Sequence, residues 1–468
     1  MTASDDTLRR GTTATPGPTT TPDPTATLDA TDAEAALGAA ADTDGDHRAL
    51  AHARAAVEAF RALARRTAGL DLPIERWDGV RLGPEEAPWR LVLPQPWSLR
   101  AMLVPPTDLT MGEAYARGDI DIAGDAVAAV AASRALRPGL DDAEALMPLT
   151  RHLLAGPRPP RLGSERRAQL GGRAHSPERD RQAVSFHYDL PQAFYEAFLD
   201  ERLVYSCGYF ADGEPTDLDR AQRRKLDMVC RKLRLGPGSR LLDIGCGWGS
   251  LLEWAATRYG ATGVGVTLSQ TQVEAANERL ARAGLSDQVE VRLADYRELP
   301  ATETFDAVCS IGMVEHVGDA QLGEYAQATR RLLEPGGLTL LHAITRQGPA
   351  PPWPLRNRTF IQRHVFPDGE LLPAWRLLQA LEQEGLPAVD VHQLRQHYVL
   401  TLRQWVARLE AARDAAIAAA SEADYRVWRL FMSGAAASFA AGHIGVVQVL
   451  AGDRPAAPLT REWMDPPV

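Results

Sequence analysis

A strand, a glycine-rich turn and a helix follow one another in "RLLDIGCGWGSLLEWAATRYG", residues 240–260. Residues 241–244 are apolar apart from Asp243 and are typical of a strand buried on both faces. The turn then provides three glycines, which let the backbone bend sharply and approach a ligand closely: Gly245, Gly247 and Gly249. Because a buried strand of this kind needs helices on both faces of its sheet, this stretch predicts an α/β fold.

The segments that follow keep alternating between strand and helix, which predicts a parallel, doubly wound sheet from about residue 184 onward. "TGVGVTLSQTQ" is a strand that ends in polar residues including Thr267 and Gln272. "VEVRLADYREL" ends in the polar pair Asp295-Tyr296, which could bracket an adenine. The spacing of the turn is GxGxG, and the next strand carries no acid of the nicotinamide-binding pattern. This order resembles that of class I S-adenosylmethionine-dependent methyltransferases.

Composition excludes several other classes of protein. No stretch approaches the 18 or more apolar residues of a membrane span, and the first 24 residues contain no apolar signal region. The four cysteines (Cys207, Cys230, Cys246 and Cys309) have no paired spacing, which suits a reducing cytoplasm and gives no metal motif. The net charge of -10 argues against general nucleic-acid binding. A cytoplasmic protein is expected.

Composition also changes along the chain and predicts four parts. Residues 1–46 are rich in Thr, Pro, Ala and Asp and lack aromatic residues, which favours a disordered tail. Residues 47–150 predict a small α+β domain of one long helix, short strands and further helical pieces. Residues 151–183 form an Arg-, Pro- and Gly-rich linker that either is only solvated or also contacts phosphates on a membrane surface. Residues 184–468 form the catalytic domain, which ends in helical segments.

Several longer motifs narrow the class. "FHYDLPQAFYEAFLDERLVYSCGYF" (186–210), "GVTLSQTQ", "SIGMVEHVG", "LLHAI" and "HYVLTLRQW" together resemble the cyclopropane-fatty-acyl-phospholipid synthase family over residues 184–452. The preceding domain looks like that family's N-terminal lipid-associated domain, with weaker motifs. Its presence favours the phospholipid-acting branch over the shorter mycolic-acid cyclopropane synthases.

The resemblance implies two bound groups and the residues that hold them. The residues implied to contact S-adenosylmethionine are Tyr205, Ser206, Asp243, Gly245, Gly247, Trp248, Gly249, Thr267, Gln272, Asp295 and Tyr296. A bicarbonate ion beside the reacting carbons is implied to contact Cys207, Glu315, His342, the backbone of Ile344, and Tyr398. No metal is implied.

The chemistry of the implied reaction fits these residue types. An isolated alkene is a poor nucleophile, whereas a sulfonium activates its methyl group, so the site must align the two and exclude water from the carbocation that forms. Aromatic faces stabilise cations, which gives roles to Phe186, Tyr205, Tyr209, Trp248 and Tyr398. A bound oxyanion is a suitable base for the proton that must leave. Glu315 can accept the O–H of bicarbonate and orient that ion.

Other polar residues have weaker assignments. Cys207 is interpreted as a small buried lining residue rather than a nucleophile, and Cys230 and Cys309 as core. His316 is expected to play a supporting structural role, whereas His187 and Asp189 either brace a helix or line the site. Residues 434–438 contain no cysteine, and their small side chains suit helix packing or the wall of an acyl channel. Gln448 reads as a buried polar group with no identified partner.

The implied function is methylene transfer from S-adenosylmethionine to the cis double bond of an unsaturated phospholipid acyl chain at the inner membrane surface. A second hypothesis keeps the methyl transfer but gives a methylene- or methyl-branched chain. A third, of another class, is a non-catalytic lipid- or cofactor-binding subunit, which predicts a decayed site. The family also tends to form homo-oligomers, although no feature of this sequence indicates one.

Overall fold

The structure is a computed structural model that describes residues 43–160, 168, 170–173, 175–188, 190–210, 217–348 and 359–452. Its contacts define one unit over Met1–Arg48 and a second over Ala49–Val468. Most of the predicted disordered tail, and Asp189, lie outside the described residues. Residues 43–46, which were predicted to belong to the tail, are instead the first residues of helix α1 (Thr43–Ala68).

The predicted short strands after α1 form a four-stranded sheet in the order β2-β1-β3-β4. Its strands are β1 (Ile74–Arg76), β2 (Arg81–Leu82), β3 (Trp89–Leu93) and β4 (Asp121–Gly124). The helices around it are α2 (Ser98–Leu103), α3 (Asp108–Ala116), α4 (Ala126–Ala135), α5 (Arg137–Asp141) and α6 (Ala143–Ala155). Apolar side chains of α1, including Val57, Phe60 and Leu63, are buried in the core that these elements share.

The predicted linker is helical at both ends, because α6 runs to Ala155 and α7 spans Pro177–Tyr188. Helix α6 buries Leu149 and Leu153, whereas α7 contributes Val184 and Tyr188 to the wall of the pocket described below. The C-terminal part of this segment therefore helps to build the site rather than only joining two domains.

The larger sheet has seven strands in the order β10-β11-β9-β8-β5-β6-β7. Its strands are β5 (Arg240–Ile244), β6 (Thr262–Thr267), β7 (Val289–Leu293), β8 (Phe305–Ile311), β9 (Leu333–Arg346), β10 (Ala388–Gln393) and β11 (Ile444–Ala451). The five strands from β9 to β7 are parallel, as predicted, but β11 lies antiparallel between β9 and β10. The sheet is therefore mixed.

Ten further helices surround this sheet and continue the chain to its last strand. They are α8 (Gln192–Glu196), α9 (Leu218–Lys232), α10 (Ser250–Tyr259), α11 (Gln270–Arg282), α12 (Leu322–Leu332), α13 (Phe360–His364), α14 (Ala374–Gln383), α15 (Arg395–Ala411), α16 (Arg413–Ala419) and α17 (Glu422–Ala440). These ten helices are counted among the residues after α7 that the structure describes. The mixture of helices and parallel strands is the α/β fold that the sequence predicts.

Residues 434–438, whose small side chains left two interpretations open, lie in α17. Ala436 and Ala437 are buried. On the same helix, the Arg134 guanidinium of α4 donates to the Gly434 carbonyl at 3.2 Å and to the Ser438 hydroxyl. This stretch therefore packs helix against helix, and its small residues allow the close approach.

Candidate active site

A pocket opens where the strands β5, β6 and β8 end, at the edge where open α/β sheets hold their ligands. Ten of the eleven residues predicted to contact S-adenosylmethionine line it: Tyr205, Ser206, Asp243, Gly245, Gly247, Trp248, Thr267, Gln272, Asp295 and Tyr296. Residues separated by up to 91 positions in the sequence therefore meet at one edge of the sheet, although their individual roles stay predictions.

The remaining member of the predicted set, Gly249, has a different position. Gly247 has a φ of +55°, and a Cβ added there would meet no heavy atom within 4 Å, so the turn leaves open space at the pocket. Gly249 has a φ of +76°, and its added Cβ would lie 3.3 Å from the Ala276 Cβ of α11. Gly249 therefore provides a left-handed turn and close helix packing rather than part of the pocket wall.

The Gln272 side chain can donate a hydrogen bond to a ligand in the pocket. Its Oε1 accepts from the Thr267 hydroxyl at 2.7 Å. Its Nε2 is buried, with no hydrogen-bond partner among the described residues. A buried amide N–H without a partner is costly, and a polar ligand would satisfy it. Together with the open space at Gly247, this donor fits a nucleoside-bearing ligand such as S-adenosylmethionine.

Two buried groups of opposite charge face the pocket. Burial raises the pKa of Asp243 to about 7, and the nearby Lys225 ammonium opposes that rise. Lys225 donates to the Ser206 hydroxyl at 3.0 Å, and its own pKa is lowered to about 8 by burial. The sequence analysis missed Lys225 because it belongs to no motif of the turn. The available signal was a lysine on the largely apolar buried face of α9, which also carries Gln222 and Lys232.

An ion-pair network joins helix α7 to the wall of the pocket. The Arg297 guanidinium contacts Asp295 at 2.6 Å and Asp180 of α7 at 3.1 Å. Since Asp180, Val184 and Tyr188 also line the pocket, α7 covers one side of it. Arg297 donates hydrogen bonds to both carboxylate oxygens of Asp295. The sequence analysis had assigned no role to Arg297.

The predicted reaction-site residues lie outside the lining of this pocket but next to it. Glu315 follows the end of β8 in a 3-10 turn (Val314–His316), rather than within the strand. Its Oε1 accepts from the Ile344 N–H at 2.7 Å, so the backbone donor predicted to hold bicarbonate is bonded to Glu315 in this structure. Glu315 Oε2 is buried, with no hydrogen-bond partner among the described residues.

His342 lies on the neighbouring strand β9, directly opposite Ile311 of β8. Its carbonyl accepts from the N–H of Gly312, a residue of the pocket wall, at 2.8 Å. Its Nδ1 contacts Gln448 Nε2 at 3.2 Å, and its Nε2 is buried without a partner in the described part of the chain. Burial lowers the pKa of His342 well below its usual value, as do the charges of Lys225 and Lys232, so the imidazole is neutral.

Tyr398 and Cys207 complete the predicted set. Tyr398 is buried, and its pKa is raised well above the usual value, first by burial and then by electrostatic interaction with Cys207 and Glu315. Burial also raises the pKa of the Cys207 thiol, whose sulfur contacts the Gly208 carbonyl at 3.3 Å. A buried thiol of raised pKa is a poor nucleophile, which agrees with its interpretation as a lining residue.

An aromatic cluster forms the wall beside these residues. Tyr205 stacks on Trp405 with ring centroids 5.2 Å apart, and Tyr188 meets Trp248 edge-on at 6.1 Å. Trp405 of α15 ends the motif "HYVLTLRQW" but was given no role at the site, and Trp428 of α17 lies outside the quoted motifs. Such a wall excludes water and presents π faces that stabilise a cation, each by about 0.5–2 kcal/mol.

Three further predicted positions have definite surroundings. Tyr209 packs against the His397 ring, with centroids 4.7 Å apart, and against His392. His187 Nδ1 lies 2.9 Å from the Val365 carbonyl, and its ring stacks on Phe366. His316 lines the pocket, and burial lowers its pKa to about 4.

The burial of Glu315 has a measurable consequence for stability. Burial raises its pKa from 4.5 to about 7, against the effect of the Ile344 hydrogen bond. The folded protein therefore holds this proton more tightly than the unfolded chain, and the free energy of unfolding falls as pH rises from about 4.5 to 7.

Glu315→Gln keeps the Ile344 bond and should be more stable than wild type by about 3 kcal/mol at pH 8, with no gain at pH 4. Urea unfolding at both pH values measures this difference, and an equal effect at both would contradict the buried-carboxyl explanation.

The fold and the pocket define a class I S-adenosylmethionine-dependent methyltransferase. Residues 175–449 match the family model described as mycolic acid cyclopropane synthetase. The chain therefore belongs to the cyclopropane fatty acid synthase family of S-adenosylmethionine-dependent methyltransferases, and it is an enzyme of that class.

Individual relatives agree with this assignment. A probable fatty acid methyltransferase of Pseudomonas putida is 37% identical over 383 residues, which cover 82% of this chain and 92% of the relative. The cyclopropane-fatty-acyl-phospholipid synthase of Escherichia coli is 34% identical over 326 residues, covering 68% of this chain and 77% of the relative. The crystal structure of the mycolic acid cyclopropane synthase CmaA1, complexed with SAH and CTAB, superimposes with a TM-score of 0.54 at 33% identity, covering 58% of this chain and 97% of that chain. The bound SAH of that structure supports S-adenosylmethionine as the cofactor of the family. No helix within the described ranges is long and apolar enough to cross a membrane.

Proposed function

We propose that this enzyme transfers a methylene group from S-adenosylmethionine to the cis double bond of an unsaturated phospholipid acyl chain and forms a cyclopropane ring. One observation carries the proposal: Glu315 Oε2, in the turn after β8, and His342 Nε2, on the neighbouring strand β9, are both buried and lack partners among the described residues. Two buried polar atoms left unpaired in this way are costly, which favours a small polar ligand between them.

The residues fit a bound bicarbonate. When bound, S-adenosylmethionine supplies an activated methyl group, and bicarbonate supplies a base. Glu315 Oε2 can accept a hydrogen bond from an O–H group, and a neutral His342 can donate one from Nε2. Tyr398, whose hydroxyl stays protonated because burial raises its pKa, is a further donor.

The remaining residues control what happens to the positive charge. Ring closure requires that a C–H bond of the transferred methyl group break, with its electron pair forming the second new carbon–carbon bond. A proton must then be accepted within the site, while water is kept from the cation. The buried rings of Trp248 and Trp405 and the partly buried ring of Tyr205 supply that dry, cation-stabilising wall.

A second candidate product is a methylene-branched chain, and the 37% identity to the probable fatty acid methyltransferase of Pseudomonas putida favours it. The methyl transfer is the same, but a hydride then shifts from the methyl-bearing carbon to the neighbouring cationic carbon. Loss of a proton from the methyl group leaves its electron pair as a carbon–carbon double bond instead of a ring. Both products have the same mass, so mass alone does not separate them. Proton NMR of the extracted lipid does, because ring hydrogens and vinyl hydrogens resonate in distinct regions.

The test incubates the enzyme with S-adenosylmethionine and vesicles of a monounsaturated phosphatidylglycerol. High-field ring resonances with no vinyl resonances of a terminal methylene would support the cyclopropane product. Terminal-methylene resonances alone would establish the branched product and refute ring closure. Recovery of only the unmodified lipid, with S-adenosylmethionine bound, would support the third hypothesis of a non-catalytic subunit.

We further propose that the enzyme reaches its substrate by docking on the inner membrane surface through α6. Met147 and Leu154 are 66% and 54% exposed, and they lie seven residues apart on one face of the helix. The exposed Arg151 lies between them, and eight arginines occur in residues 151–181 against three acids. The apolar side chains can enter the hydrocarbon part of an anionic bilayer, and the neighbouring arginines can contact its negatively charged headgroups.

The double variant Met147→Ser/Leu154→Ser should therefore bind less to vesicles of saturated phosphatidylglycerol and phosphatidylcholine in a sedimentation assay. We expect about a ten-fold loss of affinity, since two partly exposed apolar side chains no longer enter the lipid. The control is Trp375→Ser on α14, which removes a side chain that is 61% exposed on a different helix. Equal binding of wild type and the double variant would exclude this surface.

A further inference from the structure

A row of three polar side chains crosses the buried edge of the larger sheet. Gln448 of β11 is paired directly with His342 of β9 on one side and with His392 of β10 on the other. Directly opposed residues of antiparallel strands place their side chains on the same face of the sheet. Gln448 is fully buried between two imidazoles, and the sequence alone identified no partner for it.

The orientation of the Gln448 amide sets the direction of its hydrogen bond with His342. Gln448 Nε2 lies 3.2 Å from His342 Nδ1. An amide nitrogen only donates, so Nδ1 accepts with its lone pair and carries no proton. The proton of the neutral imidazole must then be on Nε2, which is the buried atom with no hydrogen-bond partner among the residues that the structure describes.

The surroundings also oppose a second proton on this ring. Burial and the charges of Lys225, Lys232 and His392 all lower the pKa of His342. Lys232 Nζ lies 3.3 Å from His392 Nδ1 and 3.5 Å from an Asp390 carboxylate oxygen, so a cation is held next to the row. A doubly protonated His342 would add a further buried positive charge at this place.

We propose that Gln448 is a positioning residue that fixes His342 as the neutral tautomer with its proton on Nε2. The inference rests on the proposed function, because it assigns that N–H to the bound anion. With Glu315 Oε2 as acceptor and His342 Nε2 as donor, the site offers one partner for an O–H group and one for an oxygen lone pair. This combination selects a singly protonated oxyanion such as bicarbonate over a fully deprotonated one.

The opposite orientation of the Gln448 amide would place the His342 proton on the other ring nitrogen. If Oε1 faced His342, Nδ1 would carry the proton and Nε2 would present a lone pair to the site. Two acceptors, Glu315 Oε2 and His342 Nε2, would then face the anion and repel it. The tautomer of His342 therefore affects how tightly the site can hold an oxyanion, and it can be measured without any turnover.

The experiment records nitrogen NMR spectra of the full-length enzyme labelled with ¹⁵N-histidine, with His342→Asn used to assign the signals. In the wild type we expect a pyrrole-type shift for His342 Nε2 and a pyridine-type shift for Nδ1. Gln448→Met, which keeps the side-chain volume but removes the donor, should give a mixture of tautomers. Its affinity for ¹³C-bicarbonate, measured by NMR titration, should fall about ten-fold, while its affinity for S-adenosylmethionine should not change.

Val449→Ala is the matched control, because it removes buried volume from the same strand on the opposite face. It should keep both the tautomer and the bicarbonate affinity. A wild-type spectrum with the proton on Nδ1 would overturn the inference, and this result needs no variant to fold. An unchanged tautomer and affinity in Gln448→Met would overturn it too. Wild-type enzyme that shows the Nε2–H tautomer but makes no modified lipid would refute the proposed function while supporting the tautomer assignment.

Discussion

Glu315→Gln is expected to lower turnover by about 10²- to 10⁴-fold without changing the affinity for S-adenosylmethionine. The glutamine keeps the acceptor for the Ile344 N–H, which lies 2.7 Å from Oε1, so the turn after β8 should stay in place. It replaces the buried Oε2, which has no hydrogen-bond partner in the described ranges, with an NH₂ group that only donates and cannot accept the O–H of an anion. The reaction site then loses an acceptor, whereas the cofactor pocket keeps all its lining residues.

The measurement compares kcat with the Kd for S-adenosylmethionine, obtained by calorimetry. The matched control is Glu298→Gln, which removes an exposed carboxylate from the 3-10 turn after β7. It should leave kcat unchanged. A Glu315→Gln enzyme with wild-type kcat would show that this carboxylate takes no part in the reaction.

Trp405→Ala is expected to reduce the free energy of unfolding by about 3–5 kcal/mol, because it removes a large ring from a packed core. Trp405 is 1% exposed and stacks on Tyr205 at 5.2 Å. It also meets Phe198 and Tyr398 edge-on, so the cavity would open beside Tyr205 of the cofactor pocket and Tyr398 of the reaction site.

Urea unfolding measures this loss, and Trp405→Phe is the control that keeps an aromatic ring at the same place. The phenylalanine variant should lose clearly less stability than the alanine variant and keep more activity, because a ring still supports Tyr205. A loss below about 1 kcal/mol for Trp405→Ala would contradict the packing described for this core.

The sequence predicted those parts of the fold that local patterns determine. The apolar run of β5, the glycine turn and the helix after it are encoded within residues 240–260, and the structure places them as expected. The antiparallel strand β11 was not predicted. Its direction depends on how it pairs with β9 and β10 after the intervening helices, and its buried apolar residues resemble those of a parallel strand.

The same distinction applies to the site. Motifs identified residue types such as Glu315 and His342, but the hydrogen bonds of those residues depend on tertiary structure. The Ile344 N–H was expected to face a bicarbonate, whereas it donates to Glu315. Lys225 and Arg297 were missed because each acts through a partner that is distant in the sequence or outside any motif. The partner of Gln448 became evident only from the register of three strands.

The central claim is that this enzyme transfers a one-carbon unit from S-adenosylmethionine to an unsaturated acyl chain. The most direct test incubates it with S-adenosylmethionine carrying a ¹³C-methyl group and with vesicles of monounsaturated phosphatidylglycerol, followed by mass spectrometry of the released fatty acids. We predict ¹³C in the unsaturated acyl chains, none in matched vesicles of saturated lipid, and a strongly reduced yield with Glu315→Gln. Absence of ¹³C from every acyl chain, with the cofactor bound and the enzyme folded, would contradict the claim.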